Sequence, residues 1–346
     1  MAEQASFAEI RALFGHLPGP DREAYAQAAQ RQQQLTKPPG SLGRLEEIAL
    51  WLCAWQGRHP PRCERPRVAV FAGNHGVAAQ GVSAYPPSVT AQMVQNFLSG
   101  GAAVNQLTKM LDADLRVYEM DLEHPTADFT QGPAMDEERC ARAMAYGMMA
   151  VEPALDVMCL GEMGIANTTA ASAICLALFG GEAADWTGPG TGVEGAALDN
   201  KRRVVAQGVA ANRALFGEPQ GNGVGDPLAV LRALGGEELA AICGAILAAR
   251  LARTPVLLDG FACTAAAAVL HALDHHALDH CLVSHRSAEP AHALLCQRLG
   301  KRPLLDLDMR LGEASGAALA VNLLKAAVAC HTGMATFAEA GVSGKA

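Results

Sequence analysis

Glu313 is the residue whose type and setting in this sequence best suit acid–base chemistry. It lies within residues 311–316 (LGEASG), between an apolar run at 303–309 and a long apolar pattern at 314–329. Apolar residues recur in that pattern at helical spacing, so Glu313 is predicted to lie in the first turn of a helix. There the positive end of the helix dipole favours a carboxylate, and small neighbours let a substrate approach. The stretch predicts either a general base or a solvated acidic residue at a helix start.

A second carboxylate, Glu162, lies in a corner with similar features. Residues 161–169 (GEMGIANTT) follow an apolar run and precede another helical pattern. Gly164 allows the backbone to turn, and Asn167 or Thr168 can cap the helix. The exposed N–H groups of such a helix start suit a phosphate or a carboxylate, although an ordinary strand-to-helix turn has the same pattern.

The glycine-dense segment at 186–195 (WTGPGTGVEG) predicts an anion-binding loop. Its backbone around Gly190–Gly192 can form a concave nest of N–H groups, and Lys201 downstream can supply positive charge. A solvated surface lysine is the alternative for Lys201. A GxGxxG pattern also runs from Gly190 to Gly195. It is weak support for a dinucleotide fold because no β-strand leads directly into it.

An aromatic residue among hydroxyl groups marks a candidate pocket for a flat ligand. Tyr85 and Ser83 lie in a proline-rich loop at 82–90, and a helix that carries Gln92 follows. This composition suits a heteroaromatic ring, although Tyr85 could equally pack the loop. His75 and His285 fit either an acid–base role or a hydrogen-bonded structural role.

These corners must be positioned by a repeated pattern of short apolar runs, each leading into a polar or glycine-rich corner and in most cases a helix. The runs predict strands at 68–72, 115–120, 155–160, 255–258, 280–283 and 303–307. Continuous apolar strands that alternate with helices indicate an α/β fold with a doubly wound, mostly parallel, Rossmann-like sheet. Ligands bind such sheets at the carboxyl ends of the strands, so the corners should converge on one cleft.

Composition favours a folded protein with a small-molecule ligand. The chain has 346 residues, of which half are hydrophobic and 18% are charged, so it can bury a large core. The net charge of -8 and the absence of a basic stripe argue against a nucleic-acid partner. No signal peptide and no membrane span are predicted.

The ten cysteines are scattered, without a CxxC pair, and several lie in apolar runs. This distribution predicts buried free thiols in a reducing cytoplasm. The eleven histidines form no HExxH pattern and no Cys/His finger spacing, so no metal site is expected.

Taken together, the corners resemble one family, the nicotinate-nucleotide–dimethylbenzimidazole phosphoribosyltransferases of cobalamin assembly. The likeness covers nearly the whole chain. The matching stretches are 36–43 (TKPPGSLG), 73–77 (GNHGV), 161–169 (GEMGIANTT), 259–261 (DGF), 284–290 (SHRSAEP) and 311–313 (LGE). The departures are small: Asn74 stands where Asp is frequent, and Ala166 and Ala314 stand where Gly is frequent.

The resemblance implies transfer of a phosphoribosyl group from nicotinate mononucleotide to 5,6-dimethylbenzimidazole or a related base, with inversion at the anomeric carbon and without a metal or cofactor. It implies a homodimer whose chain has a large sheet domain at 65–310 and a small helical domain built from 1–64 plus 311–346. Glu313 would be the base, and Glu162 would lie across the cleft. The phosphoribosyl group would be bound by Gly164, Asn167, Thr168, Gly190, Thr191, Gly192 and Lys201. The bases would be bound by Ser83, Tyr85, Gln92, Ser287, Leu311 and Gly312.

Two other classes of function stay open at this point. A dinucleotide-dependent oxidoreductase would use the segment at Gly190–Gly195 and should bind NAD(H). A nucleotide sensor would bind nicotinate mononucleotide without turnover.

Overall fold

A five-stranded parallel sheet forms the centre of the computed structural model, which describes residues 5–217 and 225–344. Its strands are β1 (Pro66–Ala72), β2 (Asp114–Glu119), β3 (Val157–Met163), β4 (Val256–Leu258) and β5 (Cys281–Val283). They lie in the order β2-β1-β3-β4-β5, and each neighbouring pair is parallel. Strands β6 (His285–Arg286) and β7 (Leu305–Asp306) form a separate parallel pair. The predicted α/β class with a parallel sheet is confirmed.

Helices connect the strands and cover both faces of the sheet. They are α1 (Phe7–Phe14), α2 (Arg22–Gln34), α3 (Arg44–Gln56), α4 (Ser88–Leu98), α5 (Ala103–Leu111), α6 (Glu137–Met148), α7 (Asn167–Phe179), α8 (Ala183–Trp186), α9 (Gly195–Phe216), α10 (Pro227–Leu234), α11 (Glu237–Leu251), α12 (Phe261–Leu273), α13 (Pro290–Arg298), α14 (Ser315–Gly333) and α15 (Phe337–Ala340).

Alternate residues of the central strands pack into two separate cores. Phe71 and Leu160 point to the larger core, which α6, α7 and α9 to α12 share. Val70 and Cys159 point to the opposite face, where α3, α5 and α14 pack. The strand order reverses between β1 and β3, and in open α/β sheets ligands bind at such a reversal, beyond the carboxyl ends of the strands. The topology therefore places the expected cleft at the ends of β1 and β3.

Two of the predicted strands differ from the observed ones in ways that matter for the site. The strand predicted at 155–160 continues through Met163, because Gly161 and Glu162 stay paired with β1. Glu162 therefore lies on a strand and not in the turn after it. The run at 303–307 forms only the two-residue strand β7, which pairs with β6 and not with the central sheet.

Helix α14 joins the carboxyl-terminal segment to both the sheet and the amino-terminal helices. Its residue Val321 shares a core with Val68 of β1 and Leu52 of α3. At the other end of α14, Arg31 Nε of α2 donates a 2.6 Å hydrogen bond to the carbonyl of His331. These contacts connect the two termini, while the division into a domain at 65–310 and a domain of both termini stays a prediction.

In the described part of the chain, no helix is both long enough and apolar enough to cross a membrane. The same residues contain no group of three or more His, Cys, Asp or Glu side chains that could hold a metal ion.

Two glycines allow α6 and α11 to cross at very short range. A Cβ added at Gly147 of α6 would overlap the backbone of Ala241, and one added at Gly244 of α11 would overlap the backbone of Met144. Backbone atoms of a packed helix cannot move aside as a flexible side chain can. The close approach of these two helices therefore requires glycine at both positions.

Gly244→Ala should lower the free energy of unfolding by about 3 kcal/mol or more, because the new methyl group forces the two helices apart. Chemical denaturation measures the change. Gly333→Ala is the matched control, since Gly333 also lies in a helix but has no neighbouring atom within 4 Å of the added Cβ. The control should leave stability unchanged or raise it by up to ~1 kcal/mol. Equal effects of the two substitutions would contradict the crossing argument.

Candidate active site

A cavity of about 480 Å³ lies at the carboxyl ends of β3 and β4, next to the reversal of strand order between β1 and β3. It contains most of the residues that the sequence selected: Tyr85, Glu162, Gly164, Asn167, Thr168, Gly190, Thr191, Ser287, Leu311, Gly312 and Glu313. Its volume suits a small organic ligand. The corners at the ends of β3 and β4 and those around β6 and α14 therefore do converge on one cleft, whereas residues 73–77 after β1 and Asp121 after β2 do not line it.

Four of the predicted residues do not line this cavity. Gln92 is exposed on α4, and the next residue, Met93, lines the cavity in its place. Ser83 does not reach the cavity itself, but its Oγ is 2.9 Å from Oγ1 of Thr191, which does line it. Gly192 and Lys201 also lie outside the lining; Gly192 belongs to the glycine-dense loop, and Lys201 on α9 contacts that loop at the Gly188 carbonyl.

Glu313 precedes α14 and does not lie in its first turn, so that prediction was wrong. Gly312, Glu313 and Ala314 have φ angles of 81°, 61° and 57°, and α14 begins at Ser315. The cause is a tertiary contact, because the Glu313 N–H donates a 3.0 Å hydrogen bond to the carbonyl of Glu162 on β3. Left-handed conformations of residues other than glycine cost roughly 1–3 kcal/mol each and are common at functional sites.

Gly161 of β3 makes room for this contact. A Cβ at Gly161 would overlap the backbone and Cβ of Ala314, so only glycine lets the segment before α14 lie against the strand. The backbones of Glu162 and Glu313 are thereby neighbours, and their carboxylates enter the cavity from adjacent positions. Both residues are nearly buried, with 8% and 5% of their surface exposed.

The corner after β3 does not use a side-chain cap, in contrast to the expectation for Asn167 or Thr168. The cap position of α7 is Ala166, whose φ is 75° and which makes no capping hydrogen bond. Asn167 instead donates from Nδ2 to Glu162 Oε2. The amide therefore orients a carboxylate in the cavity, because its hydrogen-bonding capacity is used across the corner and not on the helix.

Burial gives the two glutamates unusual proton affinities. Burial, with the charges of Asp259 and Glu238, raises the pKa of Glu162 to about 8. Burial and the Asp259 charge raise the pKa of Glu313 to about 7. Near neutral pH, the lower of the two pKa values makes Glu313 the more readily ionised member of the pair. Two carboxyl groups with pKa values in this range suit an acid–base role, and the predicted assignment of Glu313 as the base stays a prediction.

Two buried charged side chains, Lys201 and Glu289, contact the backbone of the glycine-dense loop. Lys201 Nζ donates to Thr168 Oγ1 at 2.9 Å and to the Gly188 carbonyl at 3.0 Å. Lys201 is 1% exposed, and burial lowers its pKa to about 8. The Gly190 N–H, expected in an anion nest, donates to Glu289 Oε1 at 2.8 Å. Lys201 therefore ties the loop to the start of α7, and its predicted contact with a phosphate stays a prediction.

Sequence reasoning missed several groups that line the cavity. Arg310 contributes a guanidinium group, which donates to the Gly190 carbonyl at 3.0 Å. Its position immediately before the LGE stretch was an available signal for an anion contact. The apolar wall includes Val89 and Met93, which lie four residues apart on one face of α4.

Comparison with known proteins decides the family. The model of a phosphoribosyltransferase family matches residues 17–342. A relative from Cereibacter sphaeroides is 58% identical over 98% of both chains, and one from Sinorhizobium medicae is 56% identical over 98% of both. The chain belongs to this family. Both relatives carry the name nicotinate-nucleotide–dimethylbenzimidazole phosphoribosyltransferase, so the family predicted from the motifs is confirmed.

The fold agrees with solved structures of the family. A structure of the same name from Thermus thermophilus matches with a TM-score of 0.85 and 42% identity, and covers 94% of this chain and 100% of that one. The chain is thus an enzyme of the phosphoribosyltransferase class. The GxGxxG pattern at Gly190–Gly195 follows the short helix α8 and not a β-strand, so it lacks the context of a dinucleotide-binding motif.

Glu162→Gln should stabilise the protein at alkaline pH. The folded pKa of about 8 lies above the ordinary value of 4.5, so wild-type stability falls as the pH rises from 4.5 through 8. Glutamine cannot ionise and escapes this loss. The stability difference between variant and wild type should therefore grow across this window to the order of a few kcal/mol and level off above it.

Thermal unfolding below pH 4.5, at neutral pH and above pH 8 measures this difference. Glu138→Gln, at an exposed position of α6, serves as the control and should show no such trend. A difference between Glu162→Gln and wild type that does not depend on pH would mean that Glu162 ionises normally in the folded protein.

Proposed function

We propose that this enzyme transfers the phosphoribosyl group of nicotinate mononucleotide to 5,6-dimethylbenzimidazole or a related base. The products would be α-ribazole 5'-phosphate and nicotinate, used in assembly of the cobalamin nucleotide loop. The names of the relatives support the two substrates. The observation that carries the proposal is a pair of buried carboxyl groups, Glu313 and Glu162, which line one cavity and both have a raised pKa.

The reaction needs a base at one position. One ring nitrogen of the benzimidazole attacks the anomeric carbon, and its bond forms while the bond to the nicotinate nitrogen breaks. The electron pair of the broken bond goes to the pyridinium nitrogen, so this leaving group needs no proton. The second benzimidazole nitrogen bears a proton that must be lost, and Glu313 is the carboxylate able to accept it near neutral pH.

The remaining cavity groups support positioning of two flat rings and a phosphate. Val89, Met93 and Phe261 form an apolar wall for rings. Arg310 and Thr191 offer hydrogen-bond donors beside the loop at Gly190. Holding both reactants in one cavity converts a two-molecule encounter into a reaction within one complex. This conversion can remove a large part of the activation barrier.

We further infer a cytoplasmic homodimer. The ten cysteines are free thiols in the structure, and nine of them are buried, which suits a reducing compartment. The dimer rests on the family resemblance of the motifs. Light scattering should give a mass twice that of the 36.0 kDa chain, and a monomer mass would refute the dimer.

Incubation with nicotinate mononucleotide and 5,6-dimethylbenzimidazole, followed by mass spectrometry, tests the reaction. Formation of ribazole phosphate and nicotinate supports it. Binding of nicotinate mononucleotide without product would favour a nucleotide sensor. A panel of other bases in the same assay would define which base is preferred.

Glu313→Gln should lower turnover by about 10²–10⁴-fold, because glutamine keeps the shape but cannot accept the ring proton. Its apparent affinity for nicotinate mononucleotide should change little. The wild-type rate should rise with pH through about 7 as Glu313 ionises, and the variant should lack this rise.

Glu162→Gln is the comparison variant for that experiment. Glu162 is protonated at neutral pH, and glutamine preserves a hydrogen-bond donor, so turnover should fall far less. Near-normal turnover of Glu313→Gln together with a collapse in Glu162→Gln would assign the base to Glu162.

Lys201→Ala tests the predicted phosphate contact. Loss of a charge-assisted contact commonly costs ~1.5–3 kcal/mol, so the KM for nicotinate mononucleotide should rise roughly 10- to 100-fold. Arg203→Ala, which removes an exposed cation from the same helix, should leave this KM unchanged. A normal KM in Lys201→Ala would show that Lys201 only holds the loop at Gly188.

A further inference from the structure

Asp259 is a fully buried carboxylate that connects the elements carrying both cavity glutamates. It follows β4, has no exposed surface, and does not line the cavity. Its N–H donates to the Leu160 carbonyl of β3 at 3.1 Å. Its Oδ1 accepts a 3.0 Å hydrogen bond from the N–H of Ala317 in the first turn of α14. Asp259 therefore fixes the start of α14 relative to β3, and any effect on the reaction must act through other residues.

The hydrogen bond between Asp259 and Ala317 does not require a charged side chain at position 259. Within residues 5–217 and 225–344, Oδ2 of Asp259 has no hydrogen-bond partner. The Ala317 N–H would be satisfied equally by the amide oxygen of an asparagine. A buried oxygen without a partner is costly, so the negative charge calls for an explanation other than the helix contact.

The ring of His285 lies beside the same carboxylate oxygen of Asp259 that Ala317 contacts. Its Nε2 lies 3.5 Å from Asp259 Oδ1, and neither ring nitrogen has a hydrogen-bond partner in the part of the chain that the structure describes. The ring lies against Gly316 in the first turn of α14, where a Cβ would overlap it. His285 lines the cavity, so it forms the border between Asp259 and the ligand space.

We propose that Asp259 is a positioning residue for the base, which holds the start of α14 beside Glu313 and strengthens Glu313 as a proton acceptor through its own negative charge. The proposal rests on the proposed function, in which Glu313 takes the ring proton. The Asp259 charge contributes to the raised pKa of both Glu313 and Glu162, after burial. A nearby negative charge destabilises the ionised form of a carboxyl group, so the group holds its proton more strongly.

Other titratable groups also face Asp259 from the elements packed around it. Besides Glu162, Glu313 and His285, they are the thiols of Cys159 on β3 and Cys263 on α12. Burial raises the pKa of both thiols well above the ordinary value, so both stay neutral at the pH of the reaction. The pH dependence near neutrality should therefore report the two glutamates.

Asp259→Asn separates the charge from the contact, because it keeps an oxygen for the Ala317 N–H. Without the charge, the pKa of Glu313 should fall from about 7 toward its ordinary value of 4.5. The midpoint of the kcat–pH profile should move to lower pH by on the order of one unit. The plateau of kcat should fall several-fold, because the base is weaker, and the KM for nicotinate mononucleotide should stay unchanged.

Three further variants complete the test. Asp259→Glu keeps the charge and should keep the midpoint near the wild-type value. Asp259→Ser is also neutral and replaces the Asn variant if that protein is too unstable to assay. Asp306→Asn changes an exposed, ion-paired aspartate on β7 and should leave the profile unaltered. A wild-type midpoint in the neutral variants would overturn the proposal and leave Asp259 with a structural role only.

A readout without turnover distinguishes this inference from the proposed reaction. Infrared titration of the protonated carboxyl band should show, in wild type, carboxyls that ionise near pH 7 and 8. Asp259→Asn should shift them to lower pH even if no ribazole phosphate is formed. Absence of product in wild type refutes the reaction, whereas an unshifted infrared titration refutes the role of Asp259.

Discussion

The hydrogen bond from the Glu313 N–H to the Glu162 carbonyl is the contact on which the site depends. It brings the segment before α14 against the end of β3, where Gly161 alone leaves room for Ala314. The segment can follow this path only through left-handed conformations, two of them at residues other than glycine. These conformations cost on the order of a few kcal/mol of backbone strain. In this arrangement both Glu162 and Glu313 line one cavity.

The charges around this pair explain its behaviour. Among the described residues, neither Glu162 nor Glu313 forms a salt bridge, and the buried Lys201 is engaged by Thr168 and a carbonyl. Burial makes the charged form of each carboxyl group unfavourable, and because no cation among these residues pairs with either group, both pKa values rise. A carboxyl group with a pKa near 7, such as Glu313, can accept a proton near neutral pH, where an ion-paired carboxylate would stay ionised and be a weak base.

The sequence was sufficient to locate the corners but not their detailed paths. Apolar strands followed by glycine identified the sheet, its cleft and both glutamates, because these patterns depend on local order and burial. Glu313 was predicted in the first turn of α14 but lies two residues before the helix, since its left-handed path is set by β3, which is distant in sequence. Gln92 was chosen where Met93 lines the cavity, because one residue rotates a helix position by about 100°. Asp259 was missed as a separate candidate because its role arises only from contacts with β3 and α14.

The placement of the two glutamates side by side has a consequence for turnover. Burial is the main cause of the raised pKa of Glu162, and the charges of Asp259, Glu238 and, while it is ionised, Glu313 raise that pKa further. If Glu313 accepts the ring proton, that opposing charge disappears, and Glu162 loses its own proton more easily. The pair can then release a proton through either member, as coupled groups do. Loss of the Glu313 charge would thus ease release of a proton from the pair, and one further transfer, from Glu313 to the ionised Glu162, would return both groups to their starting state.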